Sequence, residues 1–327
     1  MARLNMVQAL NLALKEEMTR DADVILLGQD VGIDGGVFRV TEGLIERFGA
    51  KRVIDTPLAE SAIVGAAIGM ALYGMKPICE IQFSGFSYQG FHQLEQHASR
   101  FRGRTRGRFH CPMVVRMPYG GGIRALEHHS ESREAYFAHT PGLKIVIPSG
   151  PATARALLTA AIRDPDPVIF FEPKAVYRAF REEVAENSEE TLPIGPARVV
   201  QQGNDLTLAS YGASLRAARQ AAEILKNEDG TDVEIIDLLT VSPLDAETLV
   251  SSVEKTGRVV VVHEAARQCG IGAEVVARLV ERAFFSLEAP VRRVTGFDTQ
   301  IPYFSREQFY LPGRDRILKV ARETLAV

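Results

Sequence analysis

The chain has 327 residues, 46% of them hydrophobic and 24% charged, with a formal net charge of −3. That length accommodates two α/β domains of ordinary size, and the composition is that of a globular protein. The mild acidity gives no reason to expect nucleic acid or an anionic membrane as partner, and Cys79, Cys111 and Cys269, without CxxC spacing, indicate neither a disulfide framework nor a zinc knuckle.

Residues 5–18, NMVQALNLALKEEM, carry apolar residues at helical spacing with acids close by. They predict a helix of the folded domain rather than a secretory signal or a transit peptide. Strands are predicted at VILLG (24–28), RVID (52–55), KPICEIQF (76–83), PMVVRMP (112–118), LKIVIPS (143–149) and PVIFFE (167–172). Helices are predicted between them at 59–73, 86–101 and 151–163, the last opened by Ser149, Gly150 and Pro151. The longest oily run, 62–75, falls short of the roughly 18–20 residues of a membrane span and is rich in glycine, so it predicts a buried helix.

The polar stretch 178–204, broken by prolines and glycines, predicts a connection that closes a first domain at 1–177. A second pattern fills 205–327: strands at 205–211, 232–238, 258–263 and 291–295, and helices at 213–226, 245–254, 272–285 and 313–325. The alternation gives an α/β protein with two mostly parallel sheets. Reduced cysteines and the absence of a targeting signal point to the cytoplasm.

In open parallel sheets, ligands bind beyond the carboxyl ends of the strands. Glu60 follows the strand RVID, and His128 and His129 follow PMVVRMP, so two proton-transfer candidates are expected on one rim. Glu60 stands in DTPLAESAIVGAAIGMALYG with no basic residue nearer than Arg52 and Lys76. It reads either as a first-turn acid favoured by the helix dipole, or as a carboxyl against an apolar wall that exchanges a proton with a ligand nitrogen.

In GGGIRALEHHSES (120–132), three glycines allow close backbone approach or unusual backbone angles, and a histidine pair follows. Adjacent side chains diverge, which argues against joint metal ligation. CGIGAE (269–274) reads as a tight turn into a helix, and the arginines of SRFRGRTRGRFH (99–110) as a solvated loop or subunit contact. GxSxG, GxxxxGK[ST] and HExxH are absent, and so is the GDG…N arrangement that holds magnesium and diphosphate in thiamin-diphosphate enzymes.

RVIDTPLAESAIVGAAIGMALYGMKPICEIQF, HHSESREAYFAHTPGLKIVIPSGPATARALLTAAIRDPDPVIFFEP, KTGRVVVVHEA and RRVTGFDTQIPY together resemble the beta subunit of the thiamin-diphosphate-dependent decarboxylating component of 2-oxoacid dehydrogenase complexes. The likeness covers nearly the whole chain. It implies a pyrimidine-binding domain followed by a transketolase C-terminal-like domain, in an α2β2 heterotetramer whose alpha subunit holds magnesium and the cofactor diphosphate.

By position, Glu60 matches the glutamate that hydrogen-bonds the aminopyrimidine of the cofactor, and Gln82 and Phe86 match residues lining its pocket. His129 matches the histidine of the HS motif, implied in proton transfer or in guiding the lipoyl group. A structural potassium is implied at Met113, Ala161, Ile162, Asp164 and Asp166. YLPGRDRI departs from many relatives at its glycine and arginine, which bears on partner contacts. EHHSES departs from the HSQS form of branched-chain enzymes and leaves the 2-oxoacid open.

The expected function is decarboxylation of pyruvate or a branched-chain 2-oxoacid, with acyl transfer to the lipoyl group of an acyltransferase core. An acetoin dehydrogenase beta subunit and a non-catalytic scaffold are the alternatives.

Overall fold

Asn5 accepts a hydrogen bond from the Gln8 amide, while the Gln8 side chain accepts one from Asn5 N–H. This capping box starts α1 (Met6–Arg20) directly after a short strand, β1 (Ala2–Leu4). The computed structural model describes residues 1–327 and divides into two units, Met1–Tyr119 with Tyr136–Ile194, and Gly120–Ala135 with Gly195–Val327.

In the first unit follow β2 (Val24–Gly28), β3 (Val53–Asp55), α2 (Glu60–Leu72), β4 (Lys76–Glu80), α3 (Tyr88–Gln96), β5 (Val114–Tyr119), β6 (Lys144–Val146), α4 (Pro151–Arg163) and β7 (Val168–Pro173). The strands run parallel in the order β6-β7-β5-β4-β2-β3. β2, β5 and β7 are buried at every residue, as strands covered on both faces are.

The predicted helix at 86–101 breaks at His97, and a single turn, Ala98–Arg100, leads into a four-residue helix at Phe101–Arg104. Helix α4 begins at Pro151 as expected, but Ser149 is not its cap. Thr153 Oγ1 accepts from Gly150 N–H, and the Glu182 carboxylate accepts from Ala152 N–H.

α4 packs on α1, where Arg155 pairs with Glu16 and Arg163 with Glu17, both at 2.6 Å. The segment 178–194 is ordered against the same helices. β8 (Glu182–Val184) pairs antiparallel with β1, and Arg155 donates to the carbonyls of Ser188 and Glu190.

Small residues let α2 and α3 approach. A Cβ on Gly90 would stand 3.0 Å from Val64 and 3.4 Å from the Glu60 carbonyl, and one on Gly65 would touch the Gln93 side chain at 3.7 Å. Gly69 faces open space, so its smallness is not explained within this chain.

The second unit holds β9 (Arg198–Gln201), β10 (Leu206–Ser210), α5 (Ser214–Ile224), β11 (Val233–Asp237), α6 (Ala246–Thr256), β12 (Val259–Val262), α7 (Ile271–Ala283), β13 (Arg292–Val294) and α8 (Arg314–Leu325). Its strand order is β13-β12-β10-β11-β9, parallel except for β9 at the edge. Leu206, Leu208, Ile235, Val260 and Val262 form its core with Leu215, Ala218 and Ile317 of α5 and α8. No helix is long and apolar enough to cross a membrane.

Candidate functional site

Glu60 is the first residue of α2, five positions beyond the end of β3, and is 8% exposed. It is a first-turn acid, yet no side chain caps this helix. No hydrogen bond or ion pair within the chain engages its carboxylate. Asp55 is occupied instead, accepting from the amides of Gly32 at 2.6 Å and Ile33 at 3.0 Å and so fixing the loop after β2.

Gln82 leaves the end of β4 and donates from Nε2 to Asp30 Oδ2 at 2.8 Å. Phe86 closes a single helical turn, its ring edge-on to Phe83 at 5.5 Å, and Phe83 is in turn edge-on to Phe38 at 5.4 Å. The close passage of Gly90 by the Glu60 carbonyl and the Ile81 side chain ties these segments together. Glu60, Gln82 and Phe86 therefore stand on adjoining elements of the first unit.

Beneath them lies an ionic cluster that sequence reading did not single out. Arg116 on β5 is fully buried and donates to Glu80 on β4 and Glu172 on β7, each at 2.7 Å. Tyr177 donates its hydroxyl to the second oxygen of Glu172 at 2.5 Å. Burial pushes the Glu172 carboxyl up, against the pull of Arg116. The signal was present as one charged residue near the carboxyl end of each of three oily strands.

The residues implied for potassium lie around the start of β5, the end of α4 and the start of β7. Lys144 Nζ sits 2.7 Å from both Asp164 oxygens and 3.7 Å from Asp166, and Arg102 bonds Asp166 at 2.7 Å. Both carboxylates already face a cationic side chain. The Met113 and Ala161 carbonyls each accept one backbone N–H, from Val168 and Asp164. No group of three or more His, Cys, Asp or Glu residues is arranged to hold a metal ion. Of the arginines at 99–110, Arg100 pairs with Glu95 and Arg102 with Asp166, while Arg104, Arg106 and Arg108 are exposed.

His128 and His129 belong to a single helical turn, Glu127–His129, in the second unit. Their rings lie 6.2 Å apart and inclined by 74°. His129 is half-buried. The loop before them, 120–126, packs on its own unit through Glu264 and Glu307. Beyond it, Tyr211 donates to Glu134 at 2.8 Å and stacks on His263 at 6.0 Å.

Two family models match the chain: the transketolase pyrimidine-binding domain over residues 2–179 and the transketolase C-terminal domain over 195–317. The pyruvate dehydrogenase E1 component subunit beta of Acholeplasma laidlawii is 50% identical over 323 residues, 99% of this chain and 98% of that protein. The proteins of the same name from Staphylococcus epidermidis and Staphylococcus aureus are 51% and 50% identical, each over 99% of both chains. The chain belongs to the family of 2-oxoacid dehydrogenase beta subunits. A solved chain of a split-gene transketolase, an inactive beta4 tetramer, shares the fold, with a TM-score of 0.82 at 20% identity over 99% of each chain.

In this beta subunit the CGIGAE turn has a packing role. Gly270 and Gly272 lie at the start of α7, and a Cβ on either would come within 2.8 Å of the His263 imidazole. His263 is fully buried with neither ring nitrogen hydrogen-bonded, and burial, with a smaller effect of Arg293, pulls it down to about 4.

A folded value below the unfolded one means that the unfolded chain binds the extra proton. The stability from neutral His263 is present above about 6.5 and lost as pH falls toward 4, at a cost of about 3 kcal/mol. Thermal unfolding of His263→Gln should start from a lower midpoint at pH 7 and show a shallower acid limb between pH 6.5 and 4. Equal slopes would mean that His263 is not buried in its neutral form.

Proposed function

We propose that this beta subunit acts with an alpha subunit to decarboxylate pyruvate on thiamin diphosphate and to pass the acyl group to lipoyl on an acyltransferase core. The observation that carries the reading is Glu60: a buried carboxylate without a partner in its own chain is costly unless a ligand atom meets it. An aminopyrimidine nitrogen fits that need, with Gln82 lining the pocket and the Phe86 ring offering an apolar face.

When bound, thiamin diphosphate would supply the electron sink for loss of carbon dioxide. The chain's own contribution is to hold a proton at the Glu60 carboxyl, to orient the pyrimidine through Gln82 and Phe86, and to present the His129 imidazole to the incoming acyl acceptor. Magnesium would be held by the alpha subunit. Potassium, if taken up, would meet backbone carbonyls around 113 and 161–162, because Lys144 and Arg102 occupy the carboxylates.

Pyruvate is favoured over branched-chain 2-oxoacids and acetoin because the three relatives compared are named for it. The test is reconstitution with the alpha subunit, titrated with thiamin diphosphate and assayed on all three substrates. Heat on titration and a kcat/KM highest for pyruvate are expected, and no heat would favour a scaffold. In the same assembly, His129→Ala should lower lipoyl acylation at least about tenfold more than decarboxylation read with an artificial electron acceptor. Small, equal losses would remove His129 from the acyl-transfer step.

A further inference from the structure

The three glycines at 120–122 sit against carboxylates of the same unit. Gly121 N–H donates to Glu264 Oε2 at 3.0 Å. Gly122 N–H and Arg124 N–H donate to the two oxygens of Glu307, at 2.9 and 3.0 Å. Glu264 and Glu307 are 5% and 3% exposed, and they come from the end of β12 and from the short helix Glu307–Tyr310.

The glycines are required by this approach. Gly120 has φ +78°, and a Cβ there would run into the Glu264 carboxylate. A Cβ on Gly121 would stand 2.9 Å from Glu307 Oε1 and 3.1 Å from both Ile301 and Leu311. Backbone amides turned toward an anion form a nest, and here the anions are the protein's own: Glu307 receives Gly122 and Arg124, and Glu264 receives Gly121.

We infer that Glu264 and Glu307 are positioning residues for His129: their carboxylates fill the amide nest of the glycine loop and fix where the imidazole is presented. The inference rests on the reading of His129 in acyl transfer. Neutral amides in place of the carboxylates cannot serve every donor. The glutamine of Glu307→Gln keeps one acceptor oxygen and turns an NH2 toward the other backbone N–H.

The test uses the assembly with the alpha subunit. Glu307→Gln should speed amide hydrogen exchange across 120–131 about tenfold, the loss expected for one charge-assisted hydrogen bond. It should also slow lipoyl acylation by a similar factor. In a His129→Ala background the further loss on Glu307→Gln should shrink below about twofold, since coupled residues are not additive. Glu307→Asp, which keeps the charge but draws it back from the amides of Gly122 and Arg124, should also speed exchange at 120–124 and covers the case in which Glu307→Gln fails to fold.

Unchanged exchange in the folded variants overturns the nest. Equal loss of acylation with and without His129 overturns the positioning role. If His129→Ala transfers acyl groups at the wild-type rate, the reading of that histidine fails, and the exchange measurement still decides whether the carboxylates hold the loop.

Discussion

Replacing Glu60 with glutamine is expected to lower thiamin-diphosphate-dependent decarboxylation at least about 100-fold while leaving the fold no less stable. The two halves of this prediction have one cause. Glu60 lies at 8% exposure with no cation or donor of its own chain on the carboxylate, which leaves it open to a ligand atom. Glutamine fills the same space without a charge, and thermal unfolding of the assembly should give an equal or higher midpoint. It cannot, however, hold and return a proton. Stability gained where activity is lost is the signature of a residue strained for function. A wild-type decarboxylation rate would remove Glu60 from the proton path. A lower unfolding midpoint would show that the carboxylate has a structural partner.

The parts of this molecule legible in the sequence are those specified locally. VILLG (24–28) is a strand from its first residue to its last because five apolar or small residues in a row suit a sheet covered on both faces. Helix α4 begins at Pro151 because that ring suits the first turn. Glu60 stands out because an acid in a small, oily run has few reasons to be there, and His129 as one of a histidine pair after a strand end, while Gln82 and Phe86 are assigned by resemblance alone.

What stayed hidden depends on partners distant in the chain. The glycine loop could be read as open to a ligand, but its acceptors lie 143 to 185 residues away, at Glu264 and Glu307. The polar stretch after 178 was expected to be a connection because its composition resembles one. Its order comes from an edge pairing with β1 and from Arg155, neither of which leaves a mark within the stretch itself.

Arg116→Met is expected to cost about 3–5 kcal/mol of stability, read by chemical denaturation, because it leaves Glu80 and Glu172 buried without their cation. Both carboxylates are at most 4% exposed, and Tyr177 can satisfy only one oxygen of Glu172. Neutralising the remainder should recover most of the loss, so the triple variant Arg116→Met, Glu80→Gln, Glu172→Gln separates a missing charge from a missing contact. If the single variant costs less than about 1 kcal/mol, the carboxylates shed their charge by taking up protons, consistent with the upward pull of burial on Glu172. The consequence for function is geometric. Arg116, midway along β5, ties together the carboxyl ends of β4 and β7, and its carbonyl accepts from Ile81 N–H at 3.0 Å, the last backbone tie before the chain departs to Gln82 and Phe86. Loosening these three strands should therefore weaken thiamin diphosphate binding in the triple variant even where its stability is restored. A site that takes its side chains from strand ends is only as well placed as the strands beneath it.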